Sequence, residues 1–205
     1  MGLFAELLAS PGVREESELR SRFGFMAFHG GNLEVATDVI AREAASRSGS
    51  SYYGVVQPLD FRWHIPSIAV TPTESPVLAE FIAHVDVVVA IHGYGRDGFW
   101  TSLLVGGTHR PLAAEMANAL RVSHPEYSHL DSLDDIPNEL RGQHALNPCN
   151  LPRGGGVQLE LPPRIRGNTP HWSDWAGPGH PPPMEALINT LAIVAQQWTG
   201  DDSSP

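Results

Sequence analysis

The sequence predicts an α/β fold, in which a mostly parallel central sheet is covered by helices on both faces. Strand-like and helix-like segments alternate along the chain, which is typical of parallel strands joined by helical crossovers. The clearest strand covers residues 85–91, an almost continuous β-branched run of the kind found in strands that are buried on both faces. Ligands bind beyond the carboxyl ends of such strands, so the residues after each strand are the first candidates for a site.

The individual elements follow from short apolar runs, which predict strands, and from apolar residues spaced three or four apart, which predict helices. Strands are expected at residues 22–28, 51–56, 63–70 (with an interruption at Pro66), 85–91, 103–105 and 156–161. Helices are expected at residues 34–47, 76–84, 111–122 and 184–198. Pro76 suits the first turn of its helix, and Gly49 marks the end of the first helix.

The remaining segments are expected to be irregular parts of a single domain that covers residues 1–205. Residues 124–152 are polar and predict loops with one helical turn. Residues 167–183 are rich in Gly, Pro and Trp and predict a surface loop that contains Trp172 and Trp175. Residues 200–205 predict a frayed, flexible tail.

The composition excludes several classes of protein. The chain of 205 residues has a formal net charge of −10, and all 13 of its basic residues are arginine, so it is a poor general binder of nucleic acid or of an anionic membrane. No apolar run is long enough to cross a membrane, and a single cysteine, Cys149, excludes an internal disulfide. No signal peptide is evident, which favours a cytoplasmic protein or one released by cell lysis; the oligomeric state is left open.

Polar residues at the ends of predicted strands have the composition of a zinc site. His29 and Glu34 follow the first strand, and His92 follows the strand at residues 85–91. Two histidines and one carboxylate are a common set of protein ligands for catalytic zinc, with water in the open position. A second carboxylate outside the metal shell, for which Glu160 is the candidate, would take a proton from that water as general base.

Each of these residues also has a structural interpretation that the spacing leaves open. Glu34 can be an acidic residue near a helix N-terminus, where the helix dipole favours it. Glu160 can face solvent on an edge strand, and a His-Gly pair such as residues 92–93 is common in loops. The residues alone therefore indicate the metal site as one of several interpretations.

Several short blocks of the sequence are weak motifs singly but occur in a specific order. They are His29-Gly-Gly-Asn-Leu-Glu34 followed by Thr37, Ser51-Tyr-Tyr53, Trp63-His-Ile-Pro-Ser67, Ile91-His-Gly93, Val105-Gly-Gly107, Asn147-Pro-Cys-Asn150 and Gly155-Gly-Val-Gln-Leu-Glu-Leu161. In this order, over about residues 25–166, they resemble the poly-γ-glutamate hydrolase family.

The resemblance implies a compact relative of the zinc carboxypeptidases, with a three-layer α/β/α fold around a mixed sheet. It implies a zinc ion (Zn2+) held by His29, Glu34 and His92, with a general base at Glu160. The implied reaction is hydrolysis of γ-linked glutamate amides, which phage enzymes of this type use to strip a host capsule. We therefore expect a zinc-dependent amide hydrolase that acts on an anionic peptide or polymer such as poly-γ-glutamate.

A polymer of glutamate has a free carboxylate on every unit, so an acidic protein needs local basic groups to bind it. Arginine binds carboxylates with two hydrogen bonds, and Arg153 and Arg164 flank the last predicted strand. Asn147 and Asn150 are candidates for binding amide or carboxylate groups of the substrate, or for capping turns. His64 is a candidate for stabilising the developing oxyanion, or is a half-buried structural histidine.

Two other functions remain open from the sequence. The family usually has Leu-His-Ile-Thr-Ser where residues 63–67 of this chain are Trp-His-Ile-Pro-Ser. One alternative is therefore a zinc amidohydrolase that acts on cell-wall stem peptides or N-acyl amino acids. The other is a non-catalytic module that binds an anionic polymer in the same cleft. The complete set of two histidines and two glutamates favours an enzyme.

Overall fold

A mixed sheet of seven strands forms the centre of the computed structural model, which describes residues 2–167 and 177–200. The strands are β1 (Arg14–Glu18), β2 (Phe23–Gly31), β3 (Ser51–Gln57), β4 (Val87–Gly93), β5 (Ser102–Val105), β6 (Ser128–Leu130) and β7 (Gly156–Leu161). Their order across the sheet is β1-β3-β2-β4-β7-β5-β6. The inner strands β3, β2, β4 and β7 are parallel. β1 runs antiparallel to β3, β5 runs antiparallel to β7, and β6 is parallel to β5.

Helices cover both faces of this sheet, which confirms the predicted three-layer α/β/α fold with a mixed central sheet. The helices are α1 (Leu3–Leu8), α2 (Thr37–Ser48), α3 (Pro76–His84), α4 (Arg110–Ser123) and α5 (Pro182–Gln197). The helices α2, α4 and α5 pack on one face of the sheet, and α1 and α3 pack on the other. No helix in the described ranges has the length and apolar character needed to cross a membrane.

Side-chain alternation along β4 builds the two cores. Val89 and Ile91 are buried in the core beneath α2, α4 and α5. Val88 and Ala90 are buried in the core beneath α1 and α3. Burial on both faces explains why this strand has a continuous apolar sequence rather than an alternating one. His92 is the next residue in the alternation, and it therefore extends from the face that α3 covers.

Most predicted elements are present, with ends that differ by a few residues. The strand predicted at residues 156–161 and the helix predicted at residues 76–84 have those bounds in β7 and α3. The prediction of a strand at residues 63–70 is wrong. That segment is irregular chain with one 3-10 turn at Ser67–Ala69, because Pro66 has no N–H to donate to a strand ladder. The elements α1, β1 and β6 are additional to the predicted ones.

The segment at residues 124–152 is more ordered than the sequence predicts. It contains β6 and two 3-10 turns, at Asn138–Leu140 and Pro148–Asn150. Its side chains Ile136, Leu133 and Leu140 pack with Leu104 of β5 in a small third core. Since the neighbours of Leu104 in β5 face the core beneath α4, this segment covers β5 on the opposite face of the sheet.

Two predicted irregular segments lie partly outside the described residues. In the loop predicted at residues 167–183, Trp172 and Trp175 lie outside them, and α5 begins at Pro182. The tail predicted at residues 200–205 lies outside them from residue 201 onward.

Candidate metal centre and active site

Three side chains, from the ends of two neighbouring strands and from the turn that follows one of them, come together at one edge of the sheet. His29 lies near the end of β2, Glu34 lies in the turn that follows, and His92 lies near the end of β4. One ligand atom from each lies within 4.8 Å of the others. Nδ1 of His29 is 3.0 Å from Oε1 of Glu34, and Nδ1 of His92 is 3.3 Å from Oε2 of Glu34. Both rings are buried, so the three donors form a compact centre that could hold a metal ion.

A register shift in β2 turns His29 toward this centre. Ala27 packs in the core beneath α2 and Phe28 in the core beneath α3, so simple alternation would place His29 on the α2 face. The pairing of β2 with β3 shifts between Ala27 and Gly30, which is the signature of a bulge. The His29 ring instead lies 4.8 Å from the Phe28 ring, and the His92 ring lies 4.7 Å from the same ring. The bulge therefore brings both imidazoles to one face.

The turn that carries Glu34 is held by tight backbone contacts. Gly31 has a φ of +71°, and a Cβ at this position would lie 2.1 Å from the Gln57 carbonyl oxygen, so only glycine fits. The Glu34 N–H donates to the His29 carbonyl at 2.9 Å. Ala36 has a φ of 73°, a left-handed conformation that is costly for a residue with a Cβ. Backbone strain is therefore located two residues from a candidate metal ligand.

The hydrogen bonds of the two imidazoles fit a cation between them. Nε2 of His29 donates to the Ile65 carbonyl oxygen, 3.0 Å away. A neutral imidazole that donates through Nε2 has a lone pair on Nδ1, and this lone pair faces an oxygen of Glu34. Two acceptors that face each other are stabilised by a positive charge, which a divalent ion would supply. Nε2 of His92 is buried without a hydrogen-bond partner in the described part of the chain.

Glu160 lies beside this centre and is not one of the three candidate ligands. It is the register partner of His92 in the pairing of β4 with β7, so the two side chains extend from the same face. Its interpretation as a solvent-facing edge residue is wrong, because β7 is an interior strand and the side chain is 4% exposed. Gln158 donates from Nε2 to Oε1 of Glu160 at 2.8 Å, and Asn147 donates to Oε1 of Gln158 at 2.7 Å. This chain of amides fixes the orientation of the carboxyl group.

The two glutamates have different electrostatic environments. Burial raises the pKa of Glu34, but the charges and hydrogen bonds of His29 and His92 outweigh burial and hold the pKa well below its ordinary value. The pKa of Glu160 is raised to about 7, chiefly by burial. The charge of His92 lowers this pKa, and the negative charge of Glu34 raises it further. Glu34 is therefore ionised at neutral pH, as a candidate metal ligand must be, and Glu160 can exchange a proton near neutral pH.

The centre opens into a cavity of about 1060 Å³ that two segments enclose. We call residues 62–68 the β3 wall and residues 133–147 the β5 wall, after the strands that they follow or cover. His64 lies on the β3 wall with its ring centroid 5.0 Å from that of His29. Burial and the neighbouring His29 lower the pKa of His64, so its ring is neutral at pH 7 and retains one N–H donor.

The family model described as poly-gamma-glutamate hydrolase matches residues 4–170, a range that includes His29, Glu34, His92 and Glu160. The chain belongs to the poly-gamma-glutamate hydrolase family. Family membership confirms the resemblance of the ordered sequence blocks, and it places the chain among hydrolases. No curated protein matches the sequence of this family member.

Three solved structures are similar to this poly-gamma-glutamate hydrolase family member, and each aligns with at least 90% of its chain. A bacteriophage poly-gamma-glutamate hydrolase has a TM-score of 0.72 at 21% sequence identity, over 92% of this chain and 91% of that chain. A zinc-free apo structure of YndL has a TM-score of 0.72 at 20% identity, over 90% of each chain. A gene product of Agrobacterium tumefaciens has a TM-score of 0.52 at 13% identity, over 90% of this chain and 92% of that chain. These similarities show a shared fold.

The residues predicted to bind substrate in this family member have separate locations. Asn147 is buried, lines the cavity and holds Gln158. Asn150 does not line the cavity; its side chain accepts from Thr108 and donates to the carbonyls of Gly142 and His144, which ties loops together.

Neither predicted arginine lines the cavity. Arg153 precedes β7 and forms an ion pair with Asp86 at 3.3 Å, at the amino end of β4. Glu160 lies four residues along β7 from Gly156, which is roughly 13 Å at about 3.3 Å per residue, and Arg153 lies before Gly156 at the other end of the strand. Arg164 is exposed, and its charge acts on the Tyr127 hydroxyl. The location of both residues removes the argument that they bind substrate at this cavity.

Arg166 is a buried residue of the centre that the sequence prediction missed. It is 6% exposed, donates from Nε to the Leu161 carbonyl at 3.1 Å and donates from Nη1 to the Val35 carbonyl at 2.6 Å. A Cβ on Gly93 would lie 2.6 Å from its Cζ, so the glycine after His92 makes room for the guanidinium. Arg166 therefore links the end of β7 to the turn that carries Glu34. Sequence spacing gives no signal that separates it from Arg164.

Proposed function

We propose that this protein is a zinc-dependent hydrolase that cleaves γ-glutamyl amide bonds of poly-γ-glutamate or a similar anionic peptide. The observation that carries the proposal is the convergence of His29, Glu34 and His92 beside Glu160 at an open cavity. Membership of the poly-gamma-glutamate hydrolase family supports the substrate class. The geometry supports the type of chemistry.

Zinc is the metal that this donor set fits best. Two imidazole nitrogens and one carboxylate oxygen, with a free position toward the cavity, are a common ligand set for catalytic zinc. When bound, zinc polarises a carbonyl and lowers the pKa of a water molecule. The Ile65 carbonyl fixes the tautomer of His29 so that its Nδ1 is free to bind metal.

Glu160 is proposed as the general base and then the general acid. Its carboxyl group lines the cavity, and one oxygen is held by Gln158, so the other is available to a water molecule. As a carboxylate it accepts a proton from the attacking water, and as a carboxylic acid it returns that proton to the nitrogen of the leaving amine. A pKa of about 7 in the buried site allows both steps near neutral pH.

His64 is proposed as a donor to the oxygen that becomes negative when the amide carbonyl is attacked. Its ring lines the cavity beside His29 and is neutral at pH 7, which leaves one N–H to donate. Arg166 does not line the cavity, so its proposed role is to hold the Glu34 turn.

The decisive experiment is a cleavage assay with purified protein supplied with zinc. We expect hydrolysis of γ-linked glutamate oligomers, no hydrolysis of α-linked oligomers of equal length, and one zinc ion per chain by elemental analysis. In a His92→Ala variant, metal and activity should be lost together. A protein that binds zinc stoichiometrically but cleaves muropeptides instead of γ-glutamate oligomers would contradict the substrate. A protein without stoichiometric zinc would contradict the metal.

A further inference from the structure

Two arginines of the cavity have no acidic partner in the part of the chain that the structure describes, unlike most of the other arginines. The chain has a net charge of −10 and 13 arginines. Eight arginines form ion pairs with carboxylates in the described residues: Arg14, Arg20, Arg22, Arg42, Arg47, Arg96, Arg121 and Arg153. Arg62 and Arg141 line the cavity and hydrogen-bond only to backbone carbonyls within the described ranges. Two guanidinium groups are therefore available to an anion in the cavity.

Arg62 lies on the β3 wall, next to the metal-ligand turn. Its Nη2 donates to the Leu33 carbonyl at 3.2 Å, one residue before Glu34. The neighbouring backbone is tied to the same turn, because the Asn32 side chain donates to the Phe61 carbonyl at 3.2 Å. The arginine is exposed, so one hydrogen bond anchors a guanidinium whose other N–H groups face solvent and the cavity.

Arg141 lies on the β5 wall, on the other side of the centre. Its Nε donates to the Ile136 carbonyl at 2.9 Å, and its own carbonyl accepts from the N–H of Gly107 at 2.8 Å. The backbone of Arg141 lies directly over Gly106, where a Cβ would be 2.2 Å from the Arg141 oxygen. These contacts fix the residue at the end of β5, and its two terminal nitrogens are left for a ligand.

The strand order places the two arginines on opposite sides of the reacting centre. The turn that anchors Arg62 follows β2, the loop that anchors Arg141 lies at β5, and β4 and β7 lie between these strands. Three strand intervals are roughly 14 Å. A γ-glutamyl unit adds five main-chain bonds, whereas an ordinary α-linked residue adds three, and it spans roughly 6 Å when extended. Gly106 pairs with Gln158, on the amino side of Glu160 along β7, so the two anchors are also offset along the strands. The separation therefore corresponds to two or more units, with the scissile bond between them.

We propose that Arg62 and Arg141 form two carboxylate-binding subsites, which hold the free α-carboxylates of γ-glutamyl units on opposite sides of the scissile amide. Each guanidinium can bind a carboxylate with two parallel hydrogen bonds. The assignment rests on the proposed function for its substrate class. It goes beyond that function by naming the two side chains that bind the free carboxylates of the substrate.

The acidic groups of the cavity explain why two such subsites are needed. Asp134 and Glu139 also line the β5 wall, and Glu139 is paired with Arg96. Asp134 repels a polyanion, as does the ionised Glu34 at the centre. Arg62 and Arg141 offset this repulsion at two points. They therefore determine which amide bond of the substrate lies beside Glu160.

The test uses a γ-linked glutamate oligomer of defined length and two analogues, each with one α-carboxylate replaced by a carboxamide on one side of the scissile bond. Arg62→Gln and Arg141→Gln should each raise KM about tenfold on the parent oligomer with little change in kcat. Each variant should bind the parent oligomer no better than one of the two analogues. That analogue should be a different one for Arg62→Gln than for Arg141→Gln. Arg14→Gln, which removes a paired and exposed arginine on β1, is the matched control and should behave as wild type.

A binding measurement separates this assignment from catalysis. In a Glu160→Gln background, calorimetry should show weaker binding of the parent oligomer after either arginine substitution, and the difference should shrink in high salt. If the wild type cleaves the oligomer and both arginine variants match Arg14→Gln in KM and binding, the assignment is overturned while the proposed function stands. If the wild type neither binds nor cleaves γ-glutamyl oligomers, the proposed function fails and the assignment fails with it.

Discussion

At the scale of single residues, the proposed chemistry depends on the different environments of two glutamates. Glu34 faces two imidazoles, which keep it ionised, whereas Glu160 is buried beside Gln158 and can be protonated near neutral pH. The residue types alone allow either glutamate to be ligand or base. Only the distances of 3.0 and 3.3 Å to the histidines group Glu34 with them as a candidate metal ligand.

Glu160→Gln should retain zinc and lose turnover. The amide has nearly the volume of the carboxylate and keeps hydrogen-bonding capacity toward Gln158, but it cannot accept a proton from water. We expect kcat to fall about 10²- to 10⁴-fold, measured with γ-glutamyl oligomers, with unchanged zinc content. Near-normal turnover in this variant would show that another group is the base.

The metal-free protein should lose stability as pH rises from about 4.5 to 7. Burial raises the pKa of Glu160 to about 7 from an ordinary value of 4.5, so the folded state binds its proton more tightly than the unfolded state. The stability from this proton is complete below pH 4.5 and is lost as pH rises through 7, a total of about 3 kcal/mol. Urea titrations of the wild type and of Glu160→Gln, both without metal, measure the effect as the difference between their pH profiles. Parallel profiles would contradict it.

Arg166→Met should weaken metal binding without removing a ligand. The substitution keeps apolar volume but removes the donors to the Leu161 and Val35 carbonyls, so the Glu34 turn loses its link to β7. We expect zinc affinity to fall about 10- to 100-fold, measured by competition with a chelator. Arg166→Lys should recover part of the loss. Arg164→Met, an exposed arginine two residues away, is the control and should bind zinc as wild type does.

At the scale of elements, the bulge in β2 decides the orientation of His29. The sequence predicts a strand at residues 22–28, and its aromatic and apolar residues do form β2. The shift between Ala27 and Gly30 is a property of pairing with β3, and nothing in the local pattern marks it. A strict two-residue alternation would have placed His29 and His92 on opposite faces of the sheet.

Gly31→Ala should damage the metal centre more than another glycine with the same backbone conformation. Gly31 and Gly49 both have a φ of +71°, but a Cβ on Gly31 would collide with the backbone of Gln57, whereas a Cβ on Gly49 meets nothing within 4 Å. Gly49→Ala should cost about 1 kcal/mol of unfolding free energy and leave zinc affinity unchanged. Gly31→Ala should cost more and should also lower zinc affinity, because Glu34 follows in the same turn. Equal effects of the two substitutions on stability and zinc affinity would argue against this role.

The elements that the sequence missed lack a pattern of their own. β1 has the sequence Arg-Glu-Glu-Ser-Glu, without apolar alternation, and it is an edge strand held by its ladder with β3. Tyr53 donates to Glu15 at 2.6 Å, a tertiary contact that compensates for an acidic residue on this strand. Conversely, the apolar residues at 63–70 resembled a strand. They form a supporting loop in which Ile65 is buried and its carbonyl holds His29.

At the scale of the whole molecule, a metal ion bound at this centre should stabilise the folded protein. The centre joins the ends of β2 and β4 and the turn before α2, so a cation at this point stabilises the folded state and not the unfolded chain. At free zinc a hundredfold above its Kd, the gain is about 2.7 kcal/mol. Thermal unfolding should therefore shift upward with zinc and downward with a chelator. His92→Ala should show neither shift, and a wild type that is equally insensitive would refute the coupling.

The sequence by itself determined the α/β class, the main strands and helices and the identity of His29, Glu34, His92 and Glu160 as candidates. It could do so because β-branched runs, helical periodicity and ordered motifs are local properties of the chain. Only the tertiary structure decided that both imidazoles share one face, that Arg166 holds the Glu34 turn and that Arg62 and Arg141 line the cavity instead of Arg153 and Arg164. Those outcomes depend on strand register and on contacts between segments far apart in sequence, and neither is encoded in the spacing of nearby residues.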